Sequence, residues 1–556
     1  LGHYAMGEYV YTGGNSQFAP DEWVQHLNPE INVRFAAESL VARRTFVFAR
    51  AGFGKSNLNK LLFVALYEHD PVVRKRGGRE VPVGTVIFDP DGEYFWPDDK
   101  DRPGLADVPH LKERLVVFTS RKPPSKYYGS FVAAGVKLDI RTLSASDVIT
   151  LALSPEKQDQ QNVAKLRAVR GANWSSLVDL VYQDGNSADP AEFKRLLNAH
   201  DMSDVEVFAA RANLTRIVGM LHDPASRLMD ALLQSLKAGK LCVVDVSQLR
   251  GGPSLILSGL ILRRIFDRNQ EEFTKENPQS IPTIAVVEEA QSVLNERSSA
   301  AQPYIEWVKE GRKYDLGAML ITQQPGSIPV EILSQGDNWF IFHLLSAADL
   351  RAVKSANAHY SDDLLSSLLN EPIPGHGVHW SSVSGRPFPV SFRAMLFEGQ
   401  YATADPDYSE SAIETFASQL RKKLNAEVTA VAPQQETIAA EQASGDDGTD
   451  AGEEADEGTP VDFRSEAIRT ATQALRDNPE FSKQLNRPCG IPWFVVRGML
   501  EEALPESMSD RHELAQQLVA ETLSEIVGEQ NVAWKTQRRP KKDDPTKDYL
   551  WIVKKE

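Results

Sequence analysis

The chain's 556 residues carry 61 Lys plus Arg against 77 Asp plus Glu, a formal net charge of -16, with 42% hydrophobic and 25% charged residues. That size and balance describe a globular protein with room for two or more domains, and they argue against a generally basic nucleic-acid binder. The two cysteines, Cys242 and Cys489, exclude a disulfide framework and a cysteine-based zinc site, and fit a reducing cytosol.

In chain order, the opening LGHYAMGEYV has no basic region followed by an apolar block, so no secretory signal is expected. RTFVFA reads as a buried strand and KSNLNKLLFVALYE as a helix. Between them, FARAGFGKSN approaches the phosphate-loop pattern of Gly, four residues, then Gly-Lys-Ser/Thr. Gly54, Lys55 and Ser56 fit that pattern, and Ala49 replaces the first Gly with a residue nearly as small. A strand before the loop and a helix after it aim backbone N–H groups at an anion, which makes Ala51, Gly52, Phe53, Gly54, Lys55, Ser56 and Asn57 the expected nucleotide-binding residues. Lys55 would reach the β- and γ-phosphates of ATP, and Ser56 would help hold Mg2+.

VGTVIFD, RLVVFT, KLCVVDV, TIAVVEE, GAMLITQ and NWFIFHL are near-continuous apolar runs, as strands buried on both faces should be. Their alternation with helical patterns predicts an α/β fold with a mainly parallel sheet. Residues 143–235 are mostly helical in pattern and read as an insertion or lid. SLILSGLILRRIF is too short to span a membrane and reads as a buried helix. TIAVVEEAQ ends in Glu288 and Glu289; the first would hold the Mg2+ water shell, and the second would polarise the attacking water as general base. GAMLITQQP ends in Thr322 and Gln323, a neutral donor placed to sense hydrolysis and orient water.

Residues 433–460 hold nine carboxylates, no Lys or Arg and no aromatic residue, so they read as a disordered linker. Much of the net charge is therefore local, and a basic channel inside an assembly stays open. Beyond the linker, Ala515, Leu518, Val519, Thr522, Leu523 and Ile526 fall on one helical face. Two strand-like runs joined by RRPKKDDPTK follow, and helices before a hairpin resemble a winged helix. The expected domains are a short N-terminal segment (1–30), an ATPase core (31–425), the acidic linker (426–461) and a winged-helix-like α+β domain (462–556).

LVARRTFVFARAGFGKS, VIFDPDGEYF, VVEEAQ, KEGRKYDLGAMLITQQPGSIPVEILSQGDN and SAADLRAV occur in the order and type seen in HerA-like ATPases, of the HerA/FtsK branch of RecA-like P-loop enzymes. The resemblance spans roughly residues 30 to 400. It implies a RecA-like core in a ring-shaped hexamer that hydrolyses ATP with Mg2+ and translocates double-stranded DNA. By motif position, Arg312 and Arg43 match arginines that complete a neighbouring subunit's site, a role suited to a planar, permanently charged guanidinium. In DPDGEY, Asp89 and Glu93 would support the metal's water shell or couple nucleotide to DNA, or simply form a turn. The sequence departs from the family where Arg50 and Phe53 replace small loop residues and are expected to crowd the phosphate site.

Arg121, Lys122 and Lys126 in SRKPPSKYYGSF interleave with aromatics as a DNA-tracking loop would, although a solvated surface loop fits them as well. Arg538, Arg539, Lys541 and Lys542 at the hairpin tip suit a phosphate backbone or a protein partner. The expected function is a cytoplasmic, hexameric ATP-driven DNA translocase or helicase with no membrane anchor. It would work with a separate nuclease or sirtuin-like NAD-consuming effector in DNA end processing or phage defence. Two alternatives stand beside it: an ATP-sensing ring scaffold that regulates an effector, and a secretion coupling ATPase.

Overall fold

The computed structural model describes residues 1–249, 251–294, 299–370, 373–383, 388–431 and parts of 472–554. Two compact units divide at Ala443 and Ser444. The acidic linker residues 433–460, and Lys542 at the hairpin tip, lie outside the described residues.

The first unit is built on a twelve-stranded sheet. In chain order its strands are β1 (Gly2–His3), β2 (Asn32–Val33), β3 (Arg44–Phe48), β4 (Gly84–Asp89), β5 (Leu115–Phe118) and β6 (Val132–Ala134). They continue with β7 (Leu241–Asp245), β8 (Thr283–Val287), β9 (Leu316–Thr322), β10 (Asn338–Phe342), β11 (His376–Ser381) and β12 (Val390–Ala394). The spatial order is β6-β5-β7-β4-β8-β9-β3-β10-β11-β12-β1-β2. From β6 to β10 every neighbouring pair is parallel, and from β10 to β2 every pair is antiparallel. The fold is thus mixed α/β, with a parallel half that carries the sequence's seven apolar strands.

Those strands are apolar throughout because each face meets its own core. Phe46, Phe48, Phe88, Val244, Val287, Leu320 and Ile341 point into one cluster, while Val47, Ile87, Val243, Val286, Ile321 and Phe340 point into the other. The second face is covered by α1 (Lys55–Leu66) through Leu58, Leu62 and Phe63, together with residues between Tyr94 and Phe131. The first face is covered by helices that include α2 (Ala145–Ala152), α3 (Gly171–Asp184), α4 (Asp204–Leu221), α5 (Leu228–Lys237), α6 (Gly252–Glu272) and α7 (Gln302–Glu310). A capping box starts α4: the Ser203 hydroxyl accepts from the Glu206 N–H, and the Glu206 carboxylate accepts from the Ser203 N–H. The run SLILSGLILRRIF lies within α6, and no described helix is long and apolar enough to cross a membrane.

The second unit, taken by itself, packs Ala515, Leu518, Val519 and Leu523 into a small core with Trp534 and Ile552. Helix α8 (Trp493–Ala503) follows β13 (Ile491–Pro492), which pairs with β15 (Asp544–Lys554); β15 also forms an antiparallel hairpin with β14 (Trp534–Lys541). The side chains of Arg538, Arg539 and Lys541 lie outside the described residues.

Phe48 ends the strand that leads into the phosphate loop. It is fully buried, with its ring 5.5 Å from both Phe46 and Trp339. Phe48→Ala is expected to cost about 3–5 kcal/mol by cavity formation, read as a lowered urea midpoint for the first unit.

Candidate functional site

β3, β4, β8 and β9 end at the same edge of the sheet, and the segments that follow them line one cleft of about 630 Å3. The loop after β3 reaches this edge through two left-handed glycines, Gly52 (φ 81°) and Gly54 (φ 96°), with Gly54 as the N-cap of α1. A side chain at either would be strained in that conformation. Ala51, Gly52, Gly54, Lys55, Ser56 and Asn57 line the cleft. Phe53 does not line it: its ring turns away and packs 4.8 Å from His343, while Arg50 is exposed. The expected crowding of the loop by these two residues is therefore absent.

Glu288 and Glu289 are adjacent in sequence, yet both line the cleft. Glu289 takes a left-handed conformation (φ 48°), which is strained for a non-glycine residue and turns the chain at the strand end. The two carboxyls then meet different surroundings. Glu288 is buried and accepts a hydrogen bond from the Tyr94 hydroxyl; burial pushes it up to about 8 against that bond. Half-burial also acts on Glu289, but Gln323, Gln291 and Lys55 outweigh it and hold its carboxylate below the ordinary range. Gln323 Nε2 donates to Glu289 Oε1 at 3.0 Å, and Lys55 Nζ lies 3.6 Å from the same oxygen. The Ala51 N–H donates to Gln323 Oε1 at 3.2 Å, so one side chain bridges the loop after β3 and the carboxylate after β8.

The turn after β4 supplies the other wall. Asp89 is fully buried and accepts from the N–H groups of Asp91, Gly92 and Tyr94 at 3.2, 2.7 and 3.1 Å. Burial pushes its carboxyl up to about 7 despite these bonds. The turn aims Asp91 and Glu93 into the cleft, where Glu93 accepts from the Ser56 hydroxyl. Carboxylate oxygens of Asp91, Glu93 and Glu288 lie within 4.8 Å of one another. Tyr94 and its bond to Glu288 escaped the sequence reading, as did Lys60, Arg102 and Arg393, which also line the cleft. Tyr94 lies inside the DPDGEY motif, but no local pattern marks its bond to Glu288 or any of the other three residues.

Arg43 and Arg312 stand elsewhere. They precede β3 and β9 respectively, at the opposite edge of the sheet from the cleft. β3 alone separates the two edges by roughly 17 Å, at about 3.3 Å per residue. Both guanidinium groups converge on one carboxylate, each 3.8 Å from Asp337 Oδ1, while Asp337 Oδ2 accepts from the Arg44 N–H at 3.1 Å. Neither arginine belongs to its own chain's cleft.

The basic segment 120–131 also differs from expectation. Lys122 and Lys126 are exposed, but Tyr127, Tyr128 and Phe131 are buried, so the aromatics form core and not a stacking surface. The Tyr128 hydroxyl donates to Asp107 Oδ1 at 2.7 Å, and the Tyr127 hydroxyl to the Ala106 carbonyl at 3.2 Å. Arg121 points inward to an ion pair with the buried Asp245.

A glycine-bearing loop between a strand and a helix, with Lys55, a carboxylate pair at a second strand's end and a glutamine between them, defines a P-loop nucleoside triphosphatase site. Residues 24–265 match the family model for the HerA helicase central domain. The DNA double-strand break repair helicase HerA of Sulfolobus acidocaldarius is 26% identical over 395 residues, 69% of this chain and 70% of that protein. That of Saccharolobus solfataricus is 28% identical over 181 residues, 32% of this chain, and the match spans 35% of that relative's length. Among solved structures, VirB4 of Thermoanaerobacter pseudethanolicus aligns over 65% of this chain and 91% of its own, at 16% identity and a TM-score of 0.36. The conjugative coupling protein TrwB aligns over 72% of this chain and 95% of its own, at 14% identity and a TM-score of 0.40. Residues 24–265 are thus similar to the HerA helicase central domain.

The raised carboxyls set a pH dependence. Asp89 and Glu288 bind a proton more tightly folded than unfolded. The folded chain therefore takes up protons between about pH 4 and pH 8, and stability falls as pH rises through that window. Glu289, held low, acts in the opposite sense and only in acid. In chelator, the urea midpoint is expected to be lower at about pH 8.5 than at about pH 5.5, with Glu288→Gln reducing the difference. His376 and His222, whose imidazoles burial holds low, act in the opposite sense below about pH 6.5, so an unchanged difference in Glu288→Gln is the result that would contradict the assignment.

Proposed function

We propose that this protein hydrolyses ATP with Mg2+ and uses the energy to move a ring of six copies along double-stranded DNA. The observation that carries the proposal is the convergence of Lys55, Glu289 and Gln323 on one cleft. DNA as the track is supported by relatives named as DNA double-strand break repair helicases.

In this reading the γ-phosphate lies against Lys55 and the loop N–H groups, and Glu289 receives a proton from water as it attacks in line. Gln323, already bonded to Glu289, orients that water. Ser56, Asp91, Glu93 and Glu288 offer only hard oxygen donors, the set that suits Mg2+. Mg2+ bound there would neutralise charge on the phosphate oxygens. Glu288 would act on it through water, as its bond to Tyr94 leaves one oxygen for that task. Arg43 and Arg312 would complete the cleft of the adjacent copy, since the fold holds them away from their own.

A motor of this kind would act with a separately encoded effector, a nuclease or an NAD-consuming enzyme, in DNA end processing or phage defence. The compact C-terminal unit offers a separate module for such docking.

Lys55→Ala and Glu289→Ala are each expected to lower kcat at least ~100-fold, with linear double-stranded DNA stimulating the wild type but neither variant. Hydrolysis indifferent to DNA would move the reading to an ATP-responsive scaffold. Arg312→Ala is expected to bind ATP normally and lose turnover. Mixing inactive Arg312→Ala with inactive Lys55→Ala should restore part of the activity, because a mixed assembly contains interfaces that are intact on both sides. No recovery in verified mixed assemblies would sink the shared-site idea.

A further inference from the structure

Arg121 makes a set of contacts that a surface residue for DNA has no reason to make. Its Nε lies 3.3 Å from Asp245 Oδ2, and its Nη2 donates to the Asp91 carbonyl at 3.2 Å and to Ser247 Oγ at 2.5 Å. Asp245 is fully buried at the end of β7. Its Oδ1 accepts from the Ser247 N–H at 3.1 Å, and its Oδ2 accepts from the Thr119 hydroxyl at 2.6 Å. Thr119 Oγ1 in turn accepts from the Arg121 N–H at 3.0 Å. The guanidinium lies flat against Gly92: a Cβ there would sit 2.4 Å from Nη2. Glycine at 92 thus serves two ends, since it also takes φ 75° in the turn.

The Asp91 carbonyl belongs to the turn that aims Asp91 and Glu93 at the phosphate cleft. We propose that Arg121 is a positioning residue for the metal side of that cleft, holding the Asp91–Glu93 turn against Asp245 and Ser247. The inference deepens the ATPase reading and rests on it. The physical logic is geometric: one planar fork spans two acceptors and an ion pair at once, which a lysine ammonium cannot reproduce. Asp245 fixes the fork from a buried, hydrogen-bonded place, so the turn is held by a rigid strand end.

The test uses the full-length chain with Arg121→Ala and Arg121→Lys, beside Lys137→Ala as an exposed surface control. Without DNA, the Mg2+ concentration for half-maximal ATP hydrolysis is expected to rise about tenfold in both Arg121 variants, the size usual for losing an outer partner of a metal site. Binding of a fluorescent ATP analogue in EDTA should stay unchanged, and Lys137→Ala should match the wild type in both. Hydrogen exchange supplies a readout that needs no activity: the Asp91 and Gly92 amides should exchange faster in Arg121→Ala and not in Lys137→Ala. Unchanged exchange together with unchanged Mg2+ dependence would overturn the inference, and so would a variant whose only defect is weaker DNA binding. A wild type that neither binds nor hydrolyses ATP would instead defeat the ATPase reading, while the exchange result would still decide whether Arg121 holds the turn.

Discussion

The register of four parallel strands is the constraint on which the site depends. Phe48 lies beside Thr322, Leu320 beside Val287, and Val287 beside Phe88, so β3, β9, β8 and β4 terminate at one edge, with β3 and β9 reaching two residues beyond β8. Parallel strands all point their carboxyl ends the same way, and the loops that leave those ends are thrown together whatever their distance in sequence. Lys55, Glu93, Glu289 and Gln323 become neighbours for that reason alone. A slip of one residue would exchange the faces of a strand and move its end by about 3.3 Å, enough to break the Gln323 bridge.

Fixing several charges at one edge carries an electrostatic cost, and the surroundings divide it unequally. Glu288 and Asp89 lie in low dielectric and resist ionisation; Glu289 lies half in solvent with two amide donors and an ammonium beside it. Two carboxyls adjacent in sequence are thereby pushed apart in proton affinity. That separation is what a site needs when one group is to accept a proton and its neighbour is to sit beside a cation. Tyr94 mediates the division: its hydroxyl is held by Asn59 Nδ2 at 2.9 Å and donates to Glu288, so helix α1 and the end of β8 are joined through one phenol.

Much of this was legible in the sequence. The seven apolar strands, the phosphate loop, the Glu288-Glu289 pair and Gln323 are local patterns, each complete within about ten residues, and their order sufficed to anticipate the parallel sheet. The antiparallel half was not legible. β1 and β2 are two residues each and have no alternation to read; their place is set by pairing with residues hundreds of positions away, as Gly2 pairs with Ala394. Nor were the contacts of Arg121, because its partner Ser247 lies 126 residues off and its setting depends on a glycine from a third segment. Periodicity alone also could not tell that Tyr127 and Tyr128 face inward, since a short turn of helix after two prolines offers no repeat.

The balance of charge in the cleft is the physical argument for the role proposed for the remote arginines. Among the described residues, seven carboxyls line it, those of Asp21, Asp91, Glu93, Asp98, Glu288, Glu289 and Glu398, against four basic side chains, Lys55, Lys60, Arg102 and Arg393. Three of the four are already engaged: Arg102 with Asp98, Arg393 with Asp21, and Lys60 with the Pro103 carbonyl. Lys55, paired at 3.6 Å with the half-exposed Glu289, is the one positioned to turn towards an incoming phosphate. A triphosphate entering so acidic a cleft needs positive charge that the chain's own lining does not supply. A divalent cation among the oxygen donors meets part of that need. The strand polarity that builds the cleft puts Arg43 and Arg312 beyond the reach of their own phosphate loop, so any contribution from them must come from a second copy. A site that is short of cations in one chain, in a molecule that carries two paired arginines on its opposite edge, has a physical reason to work only when assembled.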